Sequence, residues 1–245
     1  EKSNEITAIP ELLRRLDLKN AIITIDAMGC QLDIASLIVQ KGGDYILGVK
    51  ENQPSLHHDI ETAFRYVDTC QARTLQGLDT PLSPALVETH FDVDKGHGRL
   101  EERTVQICRD LSWLVDHVGK WSGLACFIRV IRKRTQLITD KTSTEVAYYI
   151  GSDGMMTAKL ACDSIRGHWS IENNLHWVLD MAFREDEARH RAGNTASNMA
   201  ILRHFALCLI KQDKTRTVGV SNTRKLAASS PAYMIKLLVE SGGKI

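Results

Sequence analysis

Residues 21–53 read "AIITIDAMGCQLDIASLIVQKGGDYILGVKENQ", and this stretch decides the fold. "AIITIDAMG" is a short apolar, β-branched run closed by a glycine, the pattern of a buried strand. "CQLDIASLIVQKGG" reads as a helix ended by its glycines, and "DYILGVK" as a second buried strand. In front of them, "NEITAIPELLRRLDL" places Ile6, Ile9, Leu12, Leu13 and Leu16 at the spacing of an amphipathic helix. Helix, strand, helix, strand is the order of an α/β sheet with parallel neighbours. The first strand ends at Asp26, and ligands of open α/β sheets bind outside the carboxyl ends of strands.

Working outward, the grammar changes at Pro54. "SLHHDIETAFRYV" reads as a helix and "LQGLDTPLSPA" as a turn-rich link. "LVETHFDV", "RLEERTVQICRD", "LACFIRVIRKRTQLI" and "TEVAYYIGS" then alternate polar with β-branched or aromatic residues, as half-exposed antiparallel strands do. Helices return with "TAKLACDSIRGHWSIENNLHWVLDMAF", where Thr157 is a plausible cap, and with "NTASNMAILRHFALCLIKQD". The tail from Lys214 is basic and weakly helical.

The chain has 245 residues and a formal charge of +1, which by itself is no sign of nucleic-acid binding. The charge is uneven: from Met181 onward eleven Lys and Arg face five Asp and Glu. A surface attracted to phosphates and a plain solvated face both fit that excess. The six cysteines form no C-x-x-C pair, so the sequence holds no zinc ribbon or dithiol motif; reduced thiols acting as small apolar fillers are the simplest account. No stretch approaches the roughly 20 apolar residues of a membrane span, and a cytoplasmic protein is expected. The sequence starts without Met and reads as part of something longer.

From His168 the sequence "HWSIENNLHWVLDMAFREDEARHR" sets Trp169, Leu175, Val178, Leu179 and Ala182 on one helical face. His168, Glu172, His176 and Asp180 recur at every fourth position beside it. Three readings compete. The row is a hydrogen-bonded polar edge of the core, or a zinc site, or a magnesium site in which Glu172 joins a carboxylate from a strand end. Zinc fits poorly, because the spacing is not H-E-x-x-H and three such residues drift around the helix. Magnesium takes few, hard oxygen ligands, and Asp26 is the natural partner.

"IITIDAMGCQLDIA", "GGDYILGVKENQ", "KGHGRLEER" and "IRGHWSIENNLHWVLDMAFREDEARHRAGNTA" together resemble the H-repeat-associated (Rhs-linked), ISAs-type insertion-sequence transposases of the DDE superfamily. The resemblance runs in the same order along nearly the whole chain and corresponds to the C-terminal two-thirds of such proteins. It implies an α/β, ribonuclease-H-like catalytic core interrupted by a mainly β insertion, with C-terminal helices. It also implies two Mg2+ (or Mn2+) ions held by two Asp and a Glu, acting on a phosphodiester of double-stranded DNA. By motif match Asp26 is the second Asp and Glu172 the Glu, both catalytic and metal-binding. The first Asp of the family falls on a strand upstream of Glu1, so the expectation is a piece that is inactive alone. Its alternative is a catalytically inactive DNA-binding remnant. Where the wider group carries Tyr, Arg and Lys around the Glu, this chain has Ile165, His168 and Leu179.

The corresponding domain expectation is a first part of the core at 1–53, a mainly β insertion at 54–155, a Glu-bearing helix and its successor at 156–213, and a basic tail at 214–245. Lys50, Asn52 and Gln53 emerge at the same sheet edge as Asp26 and are candidates for DNA contact, as are His97 and Arg99 of the glycine turn. His168, Asn173, His176, Arg189 and Arg191 complete the candidate DNA surface, and the resemblance implies a homodimer with no membrane partner. Asp180, Glu185, Asp186 and Glu187 read as solvated acids, Trp169 as core, and Trp177 as undecided between packing and base stacking. An unrelated small-molecule α/β enzyme is the remaining class, opposed by the lack of a glycine-rich phosphate loop after the first strand.

Overall fold

The computed structural model describes residues 5–75, 87–96, 98–190, 192–215 and 218–242. The chain divides into two compact units, residues 1–168 and 169–245. The first is an α/β unit around one six-stranded sheet, ordered β1-β2-β6-β5-β4-β3. Its strands are β1 (Ile22–Ile25), β2 (Asp44–Val49), β3 (Val87–Gly96), β4 (Arg99–Cys108), β5 (Cys126–Gln136) and β6 (Thr142–Gly151). β1 and β2 are parallel, with Ile22 opposite Asp44 and Ile25 opposite Leu47. The helix α2 (Leu32–Gln40) makes the crossover between them. Every other pairing is antiparallel, as the alternation of the later segments predicts.

The strands of the expected insertion do not form a separate sheet. β6 joins β2 through Ile46 opposite Gly151 and Val49 opposite Tyr148, so the meander continues the parallel pair. One face of the sheet is covered by α1 (Glu5–Arg15), α2 and α3 (Pro54–Leu75). There Leu13, Ile34, Ile38, Ile60 and Phe64 pack on Tyr45, Leu47 and Phe127. The other face is covered by α4 (Ala158–Ile171), whose Ala158, Ala161, Cys162 and Ile165 meet Ile46, Val105, Ile107, Ile128 and Val130. β2 is buried along most of its length, as its apolar run requires.

Two expectations are corrected. β1 is only half-buried, because it is an edge strand paired with β2 alone among the described residues. Of the five apolar residues expected to bury one face of α1, Leu13 is buried and Ile9 packs partly buried against the core, whereas Leu12 and Leu16 are 56% and 46% exposed. That helix is instead tied down at its end: Lys41 Nζ, just after α2, donates to the carbonyls of Leu13 and Arg14 at 2.8 Å and of Leu16 at 2.5 Å. A lysine there satisfies orphan helix carbonyls and complements the helix dipole. The turn-rich link at 75–85 lies outside the described residues except for Leu75.

The second unit begins with the end of α4. It continues through a π turn (Glu172–His176), α5 (Trp177–Phe183), α6 (Thr195–Gln212), α7 (Val220–Ser229) and α8 (Pro231–Gly242). Ile210, Tyr233 and Leu237 form its small core, with Phe183, Val220 and Leu226 against it. The segment read as a weakly helical tail thus carries two helices that share the core of α6. Asp213 holds their connection: it accepts the Tyr233 hydroxyl at 2.6 Å and the Thr215 hydroxyl and amide at 2.6 and 2.9 Å. Those bonds, Thr215 first, lower its pKa to about 2.

All six cysteines are free, and five are buried. Burial pushes the Cys30 and Cys126 thiols up to about 12, which fits inert fillers. No helix among the described residues is long and apolar enough to cross a membrane.

Gly151 stands where β2, β5 and β6 meet, opposite both Ile46 and Cys126. A Cβ there would lie 2.8 Å from Cys126 Sγ. Gly151→Ala should therefore destabilise the protein by about 1–3 kcal/mol in denaturant unfolding. Gly151→Ala combined with Cys126→Ala should cost less than the two single changes added together, because the second removes the clashing sulfur.

Candidate metal and DNA site

The site grows from the end of β1. Ile23 and Ile25 pack into the cluster under α2 and α3, whereas Ile22 and Thr24 face α4. Asp26 is still extended (φ −70°, ψ −179°), so strand alternation aims its carboxylate toward the α4 side. It is exposed, and its Oδ1 accepts the Met28 amide at 3.1 Å, capping the 3-10 turn Ala27–Gly29. No described residue donates to Oδ2. A strand-end carboxylate with one oxygen fixed by a backbone amide and the other toward solvent is a donor that suits a hard divalent cation.

α4 is anchored at several points along the sheet. Thr157 caps it as expected, its hydroxyl accepting the Leu160 amide at 3.1 Å. Glu88 of β3 also caps it, accepting the Ala158 amide at 2.7 Å, while Arg109 binds the other Glu88 oxygen at 3.0 Å. The Ala158 amide first, against the opposing effect of burial and with the help of Arg109, holds the Glu88 carboxyl below the usual range. Further along, Arg166 reaches Asp92 and Asp94 of β3 at 2.7 and 3.1 Å. At the last residue of the first unit, His168 Nδ1 lies 3.3 Å from Thr24 Oγ1. The helix therefore ends this unit over β1, on the face of Thr24 and two residues from Asp26.

Glu172 follows His168 by four residues and opens the π turn Glu172–His176. The polar row read at four-residue spacing is interrupted there, because i→i+5 bonding adds a residue per turn and rotates the positions that follow. His176 is exposed at the end of the π turn, and Asp180 lies on α5. Burial and the neighbouring Asp186 and Glu185 push the Asp180 carboxyl up. Among the described residues no three His, Cys, Asp or Glu side chains gather closely enough to hold a metal ion.

The DNA candidates divide. Lys50 is exposed at the end of β2, beside the Asp26 turn. Asn52 and Gln53 are instead used internally, donating to the carbonyls of Ala27 at 2.5 Å and Cys30 at 3.0 Å. From the sequence they stand equally as DNA candidates and as a plain polar loop, which carries no mark of an internal acceptor. Arg99 is exposed at the tip of the β3–β4 hairpin, where Gly98 has φ +74°. β6 passes Val49 at Tyr148 and extends back to Thr142, so β3–β6 project about 20 Å beyond β2, on the side where Asp26 stands. The charges on that projection are largely paired, as in Arg103 with Asp92 at 3.5 Å, Arg134 with Glu101 at 3.1 Å and Lys133 with Glu102 at 3.2 Å. In the second unit Arg189 is exposed, Arg184 pairs with Glu187 at 3.0 Å and Arg203 with Glu185 at 3.5 Å. His97 and Arg191 lie outside the described residues. Trp169 is 49% exposed rather than core, and Trp177 is 59% exposed.

A family model described as "Transposase DDE domain" matches residues 1–209. The chain belongs to the DDE transposase family. It is 38% identical to the Escherichia coli K12 protein named "H repeat-associated putative transposase YhhI", over 99% of this chain and 61% of that protein. It is 39% identical to "Putative transposase YncI" of Escherichia coli O157:H7, over 97% of this chain and 57% of that protein. These names bear out the H-repeat-associated DDE resemblance read from the sequence. The chain spans about three-fifths of the length of the curated relatives it matches. No solved structure matches it.

Because Glu88 joins the sheet to the start of the helix that ends over β1, Glu88→Gln should lower stability by about 0.5–1 kcal/mol at neutral pH. The wild-type carboxyl is depressed by folding, so its contribution is full above the ordinary glutamate range near pH 4.5 and lost as pH falls through the lower native value. Thermal unfolding of the two proteins should therefore differ at pH 7 and converge in strong acid.

Proposed function

We propose that this chain carries Asp26 and Glu172 as two carboxylates of a divalent-metal site that cuts and joins strands of double-stranded DNA, within a ribonuclease-H-like core. The observation that carries the proposal is the His168–Thr24 contact: it ends the first unit with α4 over the face of β1 on which Asp26 stands, four residues before Glu172. The parallel β1–β2 pair with its α2 crossover, antiparallel strands beside it and helices on both faces support the ribonuclease-H-like reading. Family membership supports DNA as substrate, and the reading takes a homodimer as the working form and the cytoplasm as its place.

The donor set fits Mg2+ or Mn2+, which bind through one or two carboxylates and keep several waters. When bound, such ions polarise phosphoryl oxygen and lower the pKa of water or hydroxyl. The protein's own residues supply orientation and charge. Asp26 is held in one rotamer by the Met28 amide, Thr24 and His168 fix the end of α4, and Lys50 adds a cation beside the turn for a phosphate. His176, Arg189 and the hairpin residue Arg99 extend the phosphate-binding surface, with His97, Asn173 and Arg191 as further members by sequence.

The test is nicking of supercoiled plasmid with Mg2+ or Mn2+. It compares this chain, a form extended upstream to the length of its relatives, and the extended form with Asp26→Asn or Glu172→Gln. The extended form should cut, and each substitution should slow it by at least about 100-fold, the loss expected when several kcal/mol of metal-borne stabilisation goes. Cutting that is indifferent to both substitutions rejects the site. DNA binding with a steep salt dependence but no cutting by the extended form supports the inactive remnant instead.

A further inference from the structure

The connection between β2 and α3, residues 50–53 "KENQ", runs beside the turn that carries Asp26, and Asn52 and Gln53 both donate to that turn. Asn52 Nδ2 donates to Ala27 O at 2.5 Å, and Gln53 Nε2 donates to Cys30 O at 3.0 Å. Gln31 Nε2 adds a third side-chain amide, on Met28 O at 3.3 Å. Asp26 O and Gly29 O accept the amides of Gly29 and Gln31 at 3.2 and 3.0 Å. All five carbonyls from Asp26 to Cys30 are thereby engaged. Gly48 completes the fit from below: a Cβ there would stand 3.3 Å from Ala27 N and 3.5 Å from Asp26 C, so β2 approaches the turn as closely as a bare backbone allows.

This arrangement bears on the carboxylate directly. Asp26 Oδ1 is held by the Met28 amide, and that amide is aimed by the 3-10 turn. A three-residue 3-10 turn has poor internal hydrogen-bond geometry and little stability of its own, so its shape must be imposed by neighbours. Two amide side chains on different carbonyls, anchored at the start of the 22-residue helix α3, impose it. Both donors immediately precede that helix, where the Gln53 carbonyl accepts the His57 amide at 2.9 Å, and Leu56 and Ile60 of the helix are fully buried, so the connection leads straight into a rigid element.

We infer that Asn52 and Gln53 are positioning residues for Asp26: they clamp the Ala27–Cys30 turn and so fix the carboxylate for a divalent cation. They act on the metal site through the turn. The inference rests on the reading of Asp26 as a metal ligand, and its test separates the two.

The experiment uses the 15N-labelled chain, with Mn2+ as probe. It measures broadening of the amides from Asp26 to Gln31 on Mn2+ titration, hydrogen exchange at the Met28 amide, and thermal unfolding. The variants are Asn52→Leu and Gln53→Met, which keep volume and remove the donors without adding charge, singly and together, with Asp26→Asn as control. The double variant should weaken Mn2+ binding by about 10–100-fold, the usual loss when a residue that orients a ligand is removed. It should speed Met28 exchange by a similar factor while leaving the unfolding temperature within a few degrees of wild type. If Asp26→Asn loses Mn2+ broadening and the double variant keeps wild-type affinity, the clamp is overturned and the metal reading stands. If Asp26→Asn leaves Mn2+ broadening unchanged, the metal reading falls, and the positioning role with it.

Discussion

The first unit depends on the pairing of β2 with β6. Among the described strands β2 alone has a parallel neighbour on one side and an antiparallel neighbour on the other, and it joins β1 to the four-stranded meander. The register is fixed where the strands cross. Tyr45 N donates to Ser152 Oγ at 2.9 Å, Ser152 Oγ donates to Asp44 at 2.9 Å, and Ser152 N returns to Tyr45 O at 3.2 Å. A slip of one residue would turn every side chain of β6 to the other face and break both clusters at once. The same register sets the direction of the meander, and hence places its hairpin tips beyond the carboxyl ends of β1 and β2.

What could be read in advance were the features that depend on local pattern. The β-branched run at Ile22–Ile25, the apolar run at Tyr45–Val49 and the helix ended by Gly42 and Gly43 each carry a periodicity that only one element satisfies. Asp26 was legible as a strand-end carboxylate for the same reason, and Thr157 as a cap because its hydroxyl serves the helix that immediately follows. The alternation of β3 to β6 gave antiparallel strands, but not their attachment to β2. A strand's partner is a long-range choice, settled by Gly151 and Ser152, and neither residue is marked by any pattern of its own.

The hidden features are those in which a polar side chain finds an acceptor far along the chain. Asn52 and Gln53 look like any solvated loop until the Ala27 and Cys30 carbonyls are seen beneath them, 25 and 23 residues away. Glu88 looks like the exposed position of an alternating strand, yet it caps a helix that begins 70 residues later. The basic run Arg132–Lys133–Arg134 carries no mark of its partners, yet the register sets Glu145 beside Arg132, Glu102 beside Lys133 and Glu101 beside Arg134. Partly buried ion pairs of this kind hold the ribbon's geometry more than they attract DNA, because most of their charge is already compensated.

The helical stretch from Ala158 to Phe183 is three segments, and the division explains its mixture of apolar and ionisable residues. Up to Ile165 the buried positions Ala158, Ala161 and Cys162 are small, so α4 lies close on the sheet and its polar residues serve as anchors. From Glu172 the π turn replaces the regular spacing, and α5 resumes with Leu179 and Ala182 buried. A π turn has weaker hydrogen-bond geometry than the helix on either side of it, so it persists where the positions it sets matter more than helical regularity, and such turns concentrate at functional sites. His, Glu and Asp side chains at four-residue spacing therefore do not form one stripe with one role. His168 belongs to the sheet and to Thr24, Glu172 is set by the π turn, and Asp180 belongs to α5 and the acids Asp186 and Glu185 beside it.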